Sequence, residues 1–489
     1  MSPNQILFTI IGYFAVLIGI SFLVGRKNDS ATFFRGNRSS PWYIVAFGMI
    51  GASLSGVTFI SIPGNVEADS MGYFQVVLGY TLGYLVIGTV LLPMYYRLNL
   101  TSIYTYLHDR YGKSAQYTGS SFFLLSRVVG ASFRLYLVAG VLQTFVFDPM
   151  QVGIEFWQTV TLTVILIWLY TFKSGIKTIV WTDTLQTLFM LIAVGVALYF
   201  LYERLEFTSF NNLIDYINSS NYSQVFFFDD WKSDQYFWKQ FLSGAFIAIV
   251  MTGLDQDMMQ KNLTCRSLKD AQKNMFWFTI VLTIVNLLFL VLGVLLTAFA
   301  KAENIQASKD SLFPAIALQS DMGIGLGLVF MLGLVAAAYS SADSALTSLT
   351  TSFSVDILNV EKNYSESRQK KVRMLTHIAF SILLILVIVS FEYVIQDASV
   401  ITKLFVFAGY TYGPLLGLFS FGILTSLKPH RYSVPVIAII SPFIAYTVSV
   451  LAEKAGFEFG FFILLLNGAI TFSLLLIASI LLPSKSAHN

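Results

Sequence analysis

The chain has 489 residues, of which 56% are apolar and 12% are charged, and its mean hydropathy is +0.70. These values exclude a soluble globular protein and indicate a chain that crosses a membrane many times. The net charge of +3 is too small to indicate nucleic-acid binding. A single cysteine, Cys265, excludes intrachain disulfides and cysteine-based metal centres.

Apolar segments near the ~20 residues needed to span a bilayer recur from end to end, and no polar linker separates them. We therefore expect one all-α polytopic membrane domain over residues 1–489, with about thirteen transmembrane helices. The predicted spans are 5–25, 43–68, 73–97, 117–146, 154–172, 178–201, 239–258, 274–300, 323–356, 373–395, 399–426, 433–452 and 458–482.

The distribution of Lys and Arg between alternate loops predicts the orientation. One set of loops holds 21 of the 30 basic residues, with Lys261 counted among them. The N-terminus is therefore expected outside and the C-terminus in the cytoplasm, in a plasma membrane of bacterial inner-membrane type. The segment 101–116 between two spans is expected to face lipid headgroups.

Two segments, 48–65 and 244–260, carry the features of helices that are interrupted within the membrane. The first contains three glycines followed by Pro63-Gly64, and the second has Gly253 just before Asp255-Gln256-Asp257. Exposed backbone at membrane depth persists only where it lines a cavity. Each segment opens a group of five spans, which predicts an inverted repeat of 43–201 and 239–426, with one helix before it and two after it (433–482). The alternative is that the glycines only permit close helix packing.

Arg127 and Arg134 lie seven residues apart in the span 117–146, on one face of a helix. A charge at bilayer depth costs roughly 2.5–3.5 kcal/mol on insertion scales, so it is expected to face a bundle interior or a cavity. This arrangement indicates a membrane passage rather than an enzyme, and the chain has no HExxH or GxSxG motif.

Six motifs, in order along the chain, resemble those of the sodium:solute symporters, a family that carries sugars, proline, sialic acid, iodide, vitamins and monocarboxylates. They are FRG at 34–36, SLSGVTF at 53–59, WTDTLQT at 181–187, DQ at 255–256 with Gln260, AAYSS at 337–341, and YGPLLGLF at 412–419. The resemblance covers nearly the whole chain. It implies the LeuT-type five-plus-five inverted repeat and sodium-coupled symport of a small organic solute by alternating access.

A principal sodium site is the first ligand set to consider. Ala337, Ser340, Ser341 and Ser344 share one helix face by their spacing, and Na⁺ is a hard cation that prefers oxygen ligands. The resemblance implies that the carbonyls of Gly51, Leu54 and Ala337 and the hydroxyls of Ser340 and Ser341 bind sodium. The alternative is that these hydroxyls bond only within their own or a neighbouring helix.

A second sodium site is implied by the two-sodium members of the family. Its ligands here would be Asp183, Ser340, Asp343 and Ser344, unless Asp183 is solvated at the cytoplasmic end of its helix. Asp343 departs from the family pattern, which has serine there. It could bind sodium, take up a proton, or neutralise Arg127 or Arg134; we favour the ion pair, because an unpaired buried charge is costly. The number of sodium ions stays open.

The solute cavity is expected, by the same resemblance, to be lined by groups from five helices: Ser53, Ser55, Thr58, Gln75, Tyr80, Arg134, Asp255, Gln256, Tyr410 and Tyr412. An arginine fork binds a carboxylate with two hydrogen bonds, which favours an organic anion or amino acid. If Asp343 cancels that charge, a neutral sugar is the alternative. A proton-coupled transporter and a channel are less favoured. The expected partners are sodium, the solute and the bilayer, with no obligate protein partner evident.

Overall fold

A computed structural model describes residues 2–24, 38–100, 102–171, 176–319, 323–394 and 400–481. Within these ranges the elements are helices, apart from an isolated bridge between Ser40 and Cys265. The longer helices, numbered in chain order, are α1 Pro3–Val24, α2 Trp42–Ser53, α3 Gly56–Gly64, α4 Tyr73–Arg97, α5 Thr105–Tyr111, α6 Lys113–Met150, α7 Phe156–Thr171, α8 Ile176–Arg204, α9 Phe210–Ser219, α10 Phe237–Gly253, α11 Gln256–Asn262, α12 Leu268–Ala302, α13 Leu312–Gln319, α14 Ile324–Ile357, α15 Glu366–Val394, α16 Val400–Leu424, α17 Ser433–Lys454 and α18 Gly460–Leu481.

Nine helices in the described ranges are long and apolar enough to cross a bilayer. Two bent pairs, α2 with α3 and α10 with α11, each pass the same test when taken together. The remaining predicted spans, 5–25 and 154–172, correspond to shorter apolar helices within α1 and α7. The all-α polytopic class is therefore confirmed. The motif at 34–36 lies outside the described residues, and the division into repeats stays a prediction.

Both predicted interruptions are present. Helices α2 and α3 meet at a bend of 56° on either side of Leu54, and α10 and α11 meet at a bend of 70°. At the second bend Asp255 is the N-cap of α11, and its carboxylate accepts hydrogen bonds from the N–H groups of Asp257 (2.9 Å) and Met258 (3.3 Å). Asp is a favoured N-cap residue because it satisfies these otherwise unbonded donors. The local sequence therefore explains why a new helix begins there.

Glycines bring the first and second groups of spans into backbone contact. A Cβ atom at Gly244 of α10 would lie 2.0 Å from the carbonyl oxygen of Val76 in α4, and one at Gly79 would lie 2.0 Å from the carbonyl oxygen of Phe241. Helices approach this closely in membranes where small residues remove the side-chain barrier. Gly244 therefore permits close helix packing, which was the alternative interpretation of the glycines, and the helix is also interrupted further along.

The α4–α10 contact generates a stability prediction. Gly244→Ala should lower the free energy of unfolding by about 1–3 kcal/mol, because the added methyl overpacks a backbone–backbone contact. Gly140→Ala in α6 is the matched control, since a Cβ there meets nothing within 4 Å. The control should be neutral or stabilising, because Ala favours a helix over Gly. Unfolding of the purified variants in detergent measures both, and equal losses would contradict the packing argument.

Candidate transport site

The first interruption lies against α14, and both are buried. Gly51 and Leu54 come from the end of α2, and Ala337, Ser340 and Ser341 come from the middle of α14. A Cβ at Gly56, just after the gap, would lie 3.4 Å from the Cβ of Ala338, so the two backbones are close. The hydroxyl of Ser341 donates to the carbonyl of Ala337 over 3.3 Å. All five residues of the predicted principal sodium site therefore belong to one helix gap and the helix beside it.

Asp183 is the centre of a second buried cluster. Its carboxylate accepts hydrogen bonds from Ser340 (2.6 Å) and Ser344 (3.4 Å). It also forms an ion pair with Lys261, whose Nζ lies 2.8 Å from Oδ2 of Asp183. The side chain of Asp183 is fully buried, so the alternative of a solvated carboxylate near the helix end is wrong.

Lys261 is a site residue that the sequence analysis missed and counted as a loop charge. It lies in the last turn of α11, with its side chain 1% exposed. The sequence analysis placed Lys261 in a loop because polar residues follow it closely and because α11 has only seven residues. A signal was present: Lys261 is four residues after Asp257, one helical turn further along, in a segment that includes Met258 and Met259.

We predicted that Asp343 neutralises Arg127 or Arg134, but the ion pairs among the described residues do not include either pairing. Arg127 instead pairs with Asp257, in close contact, and with Asp255, whose Oδ2 lies 3.8 Å from its guanidinium. Asp343 is buried on α14 and acts electrostatically on Lys261. Two groups of buried charges are therefore present among the described residues: Arg127 with Asp255 and Asp257, and Lys261 with Asp183 and Asp343.

Tyrosines and the segment that follows α4 form hydrogen bonds with the second interruption. The hydroxyl of Tyr95 donates to the carbonyl of Gly253, and that of Tyr104 donates to the carbonyl of Leu254, each at 2.9 Å. The side-chain oxygen of Gln256 accepts from the N–H of Ile103 at 2.9 Å. Gln256 is therefore a structural anchor here and does not line the cavity, contrary to the prediction.

The segment 101–116, which we expected to face headgroups, does so at most in part: His108, Asp109 and Lys113 are exposed, but its first described residues are not. Ser102, Ile103 and Tyr104 are all fully buried. Ser102 donates to the buried carboxylate of Asp356 at 2.8 Å, so the segment is tied to α14 as well as to α11. The second interruption is thus joined to α14 through this segment.

A cavity of about 80 Å³ lies beside the first interruption. Five of the predicted solute-binding residues line it: Ser53, Ser55, Thr58, Tyr80 and Arg134. Tyr73, Tyr84, Thr252 and Asn286 add polar groups that the sequence analysis did not select, and Leu282, Leu404 and Phe405 add apolar surface. The cavity therefore joins a polar end to an apolar wall, as is usual for small-molecule sites.

Arg134 is buried, with 7% of the residue exposed, and it lines this cavity. Among the described residues, the ion pairs within 4.0 Å include Arg127 but not Arg134. A guanidinium that faces a cavity without a carboxylate in contact can donate hydrogen bonds to an anion that enters.

Four other predicted solute ligands lie away from this cavity. Asp255 accepts a hydrogen bond from the Tyr412 hydroxyl at 2.6 Å, behind Arg127. Gln75 lines a separate outer cavity of about 90 Å³, where its side chain bonds the backbone of Gln235 and Phe227. Tyr410 packs its ring 6.1 Å from that of Tyr446 on α17. These residues are on the predicted helices, but tertiary packing turns their side chains elsewhere.

The outer cavity and the central cavity share a wall. Tyr73 and Ile401 line both of them, and the hydroxyls of Tyr73 and Tyr80 lie 2.8 Å apart. Asp69 and Asp234 also line the outer cavity; burial, and then the charge of Asp234, raise the pKa of Asp69 above its ordinary value. Tyr73, its hydroxyl contact with Tyr80, and Ile401 therefore lie at the wall between the two cavities.

The family model for the sodium:solute symporter family matches residues 33–426. The chain belongs to this family, and it is a sodium-coupled solute symporter rather than an enzyme. It is 24% identical to the sodium/sialic acid symporter SiaT of Proteus mirabilis, with 92% of this chain and 90% of the relative covered. It is 22% identical to the human sodium-coupled monocarboxylate transporter 2, with 86% and 68% covered.

The fold is similar to that of a solved Na⁺-coupled sialic acid symporter in a substrate-bound, outward-open state. The TM-score is 0.83 at 20% sequence identity, and 98% of each chain is covered. The fold expected from the family motifs is confirmed, as is sodium as the coupling ion.

Substitution of the two buried arginines should affect the stability of the protein differently. Arg127→Met should destabilise the protein by about 3–5 kcal/mol, because it leaves the carboxylates of Asp257 and Asp255 without their cation. Arg134→Met, the matched control on the same helix, breaks no ion pair and should leave the unfolding midpoint unchanged or raised. Unfolding in detergent without solute measures both midpoints. A larger loss for Arg134→Met would contradict the assignment of partners.

Proposed function

We propose that this symporter imports a small organic anion, and that its carboxylate is bound by Arg134. The observation that carries this proposal is the position of Arg134, buried at the cavity and outside the 4.0 Å ion pairs of the described residues. A buried cation costs several kcal/mol of desolvation unless a charge answers it, and a carboxylate solute would do so when it binds. Both relatives named above are transporters of carboxylates by their names, sialic acid and monocarboxylates.

The hydroxyls of the first interruption complete the proposed anion site. Ser53, Ser55 and Thr58 line the same cavity as Arg134 and can hydrogen-bond a carboxylate or hydroxyl group of the solute. The alternative solute, a neutral sugar, would also bind these groups, but it would leave the guanidinium without a counter-charge. The charge of Arg134 therefore favours the anion.

Sodium is proposed to bind at the same interruption, at the carbonyls of Gly51, Leu54 and Ala337 and the hydroxyls of Ser340 and Ser341. The Ser340 hydroxyl donates its proton to Asp183, so its lone pairs remain available for a cation. The hydrogen bond from the Ser341 hydroxyl to the Ala337 carbonyl is long, at 3.3 Å, so the two oxygen atoms remain able to bind an ion. Neutral oxygen ligands also permit the release that a transport cycle requires.

The proposed orientation has the N-terminus outside and the C-terminus in the cytoplasm of a bacterial inner membrane. Lys261 leaves the set of loop charges because it is buried, yet the basic excess of the cytoplasmic loops remains large. In this orientation the cavity with Asp69 and Asp234 opens outward, and solute would enter past Tyr73 and Tyr80.

Sodium dependence should pass through the hydroxyl of Ser341. Ser341→Ala removes a proposed ligand, so it should raise the sodium concentration needed for half-maximal uptake into proteoliposomes. Ser348→Ala is the matched control: it is a buried serine on the same helix, two turns away, that bonds to its own helix at Ala345. The control should retain the normal sodium dependence. An unchanged dependence in Ser341→Ala and Ser340→Ala, with normal expression, would remove the assignment.

Solute recognition should depend on the geometry of the guanidinium as well as on its charge. Arg134→Lys should weaken apparent solute affinity ~10-fold or more, because an ammonium retains the charge but loses the paired hydrogen bonds. Competition for uptake should follow the carboxylate, and the matching amide or alcohol should be inactive. If neutral sugars compete and organic acids do not, the solute is a sugar and the anion proposal is wrong.

A further inference from the structure

The ion pair between Asp183 and Lys261 lies where the family resemblance implies a second sodium site. Oδ2 of Asp183 contacts the Lys261 ammonium at 2.8 Å, and Oδ1 accepts the Ser340 hydroxyl at 2.6 Å. Ser344, another residue of the predicted second site, donates to the same carboxylate. The aspartate and two of its proposed partner hydroxyls are thus assembled as a cation site would need, and a cation from the protein itself is present.

The Lys261 ammonium also provides a positive charge near Asp343, the unusual carboxylate in this region. Asp343 stands where the two-sodium members have serine, and it acts electrostatically on Lys261, as does Asp257. Carboxylates outnumber cations around this ammonium, because Asp183, Asp343 and Asp257 all act on it and Asp257 is shared with Arg127. A sodium ion at Asp183 would have to lie within a few ångströms of this ammonium, in an interior where like charges repel strongly.

We propose that the Lys261 ammonium takes the place of a second sodium ion at Asp183, so that the symporter binds and carries one sodium ion per solute. Lys261 supplies the positive charge that holds Asp183, Ser340 and Ser344 together, but it stays with the protein during transport. The acidic Asp343 stabilises the ammonium, which accounts for its departure from serine. The inference rests on the proposed function, because the single transported sodium is the one assigned to the first interruption.

The number of sodium sites in purified wild-type protein and three variants tests this inference. Equilibrium binding of radioactive sodium, without solute, should count one site in the wild type and one in Lys261→Arg, which retains a cation. Lys261→Met should count two, because it frees the carboxylate for an ion. The double variant Asp183→Asn/Lys261→Met removes both charges of the pair and should return to one site.

Each outcome separates this inference from the proposed function. Two sites in the wild type would overturn the role of Lys261 and leave sodium at the first interruption intact, whereas no site would contradict the proposed function itself. A folded Lys261→Met variant, monodisperse on size exclusion, that still binds one ion would also overturn the inference.

If Lys261→Met does not fold, the effect of membrane potential on uptake by the wild type tests the inference instead. One sodium carried with a monocarboxylate is electroneutral, so uptake should not change when valinomycin and potassium impose an inside-negative potential. Uptake that rises with that potential means additional positive charge per cycle and would overturn the inference.

Discussion

The gap between α2 and α3 is the constraint on which the rest of the structure depends. A helix that stops within a bilayer leaves backbone groups that lipid cannot satisfy, so the gap must face protein or an aqueous cavity. Here it faces both: Gly56, just after the gap, lies beside Ala338 of α14, while Ser53, Leu54 and Ser55 line the central cavity. The proposed sodium and solute sites both use residues of this short gap, so an ion and a solute bound there would stabilise the same backbone arrangement, which is the physical requirement for coupling.

The second interruption has the same origin but a different role. Tyr95 and Tyr104 bond its carbonyls, and Arg127 neutralises the carboxylates that follow it. These contacts are internal to the protein, and the helices on either side of the second gap also line the central cavity, through Met251, Thr252 and Met258. The first interrupted helix supplies the hydroxyls of the proposed solute site, whereas the second supplies part of the cavity wall and the carboxylates that pair with Arg127.

The outcome at each residue depended on whether local sequence or tertiary packing decides it. The two gaps were predictable because glycine, proline and an aspartate N-cap act over a few residues. The inward face of α14 was predictable from the spacing of Ala337 and Ser340. The partners of Arg127 were not predictable, because the sequence contains two buried arginines and several carboxylates and does not indicate which of them form pairs. Lys261 was missed for a related reason: only the fold shows that α11 ends inside the protein, beside Asp183.

The most direct measurement is the mutual effect of sodium and an organic acid on each other's binding to the purified protein. The account predicts that sodium tightens the binding of a competing carboxylate and that the carboxylate tightens sodium binding by the same factor, since linkage between two sites is reciprocal. Potassium in place of sodium should give no such effect. Carboxylate affinity that is identical with and without sodium would contradict the claim that both cargoes bind the same interrupted helix.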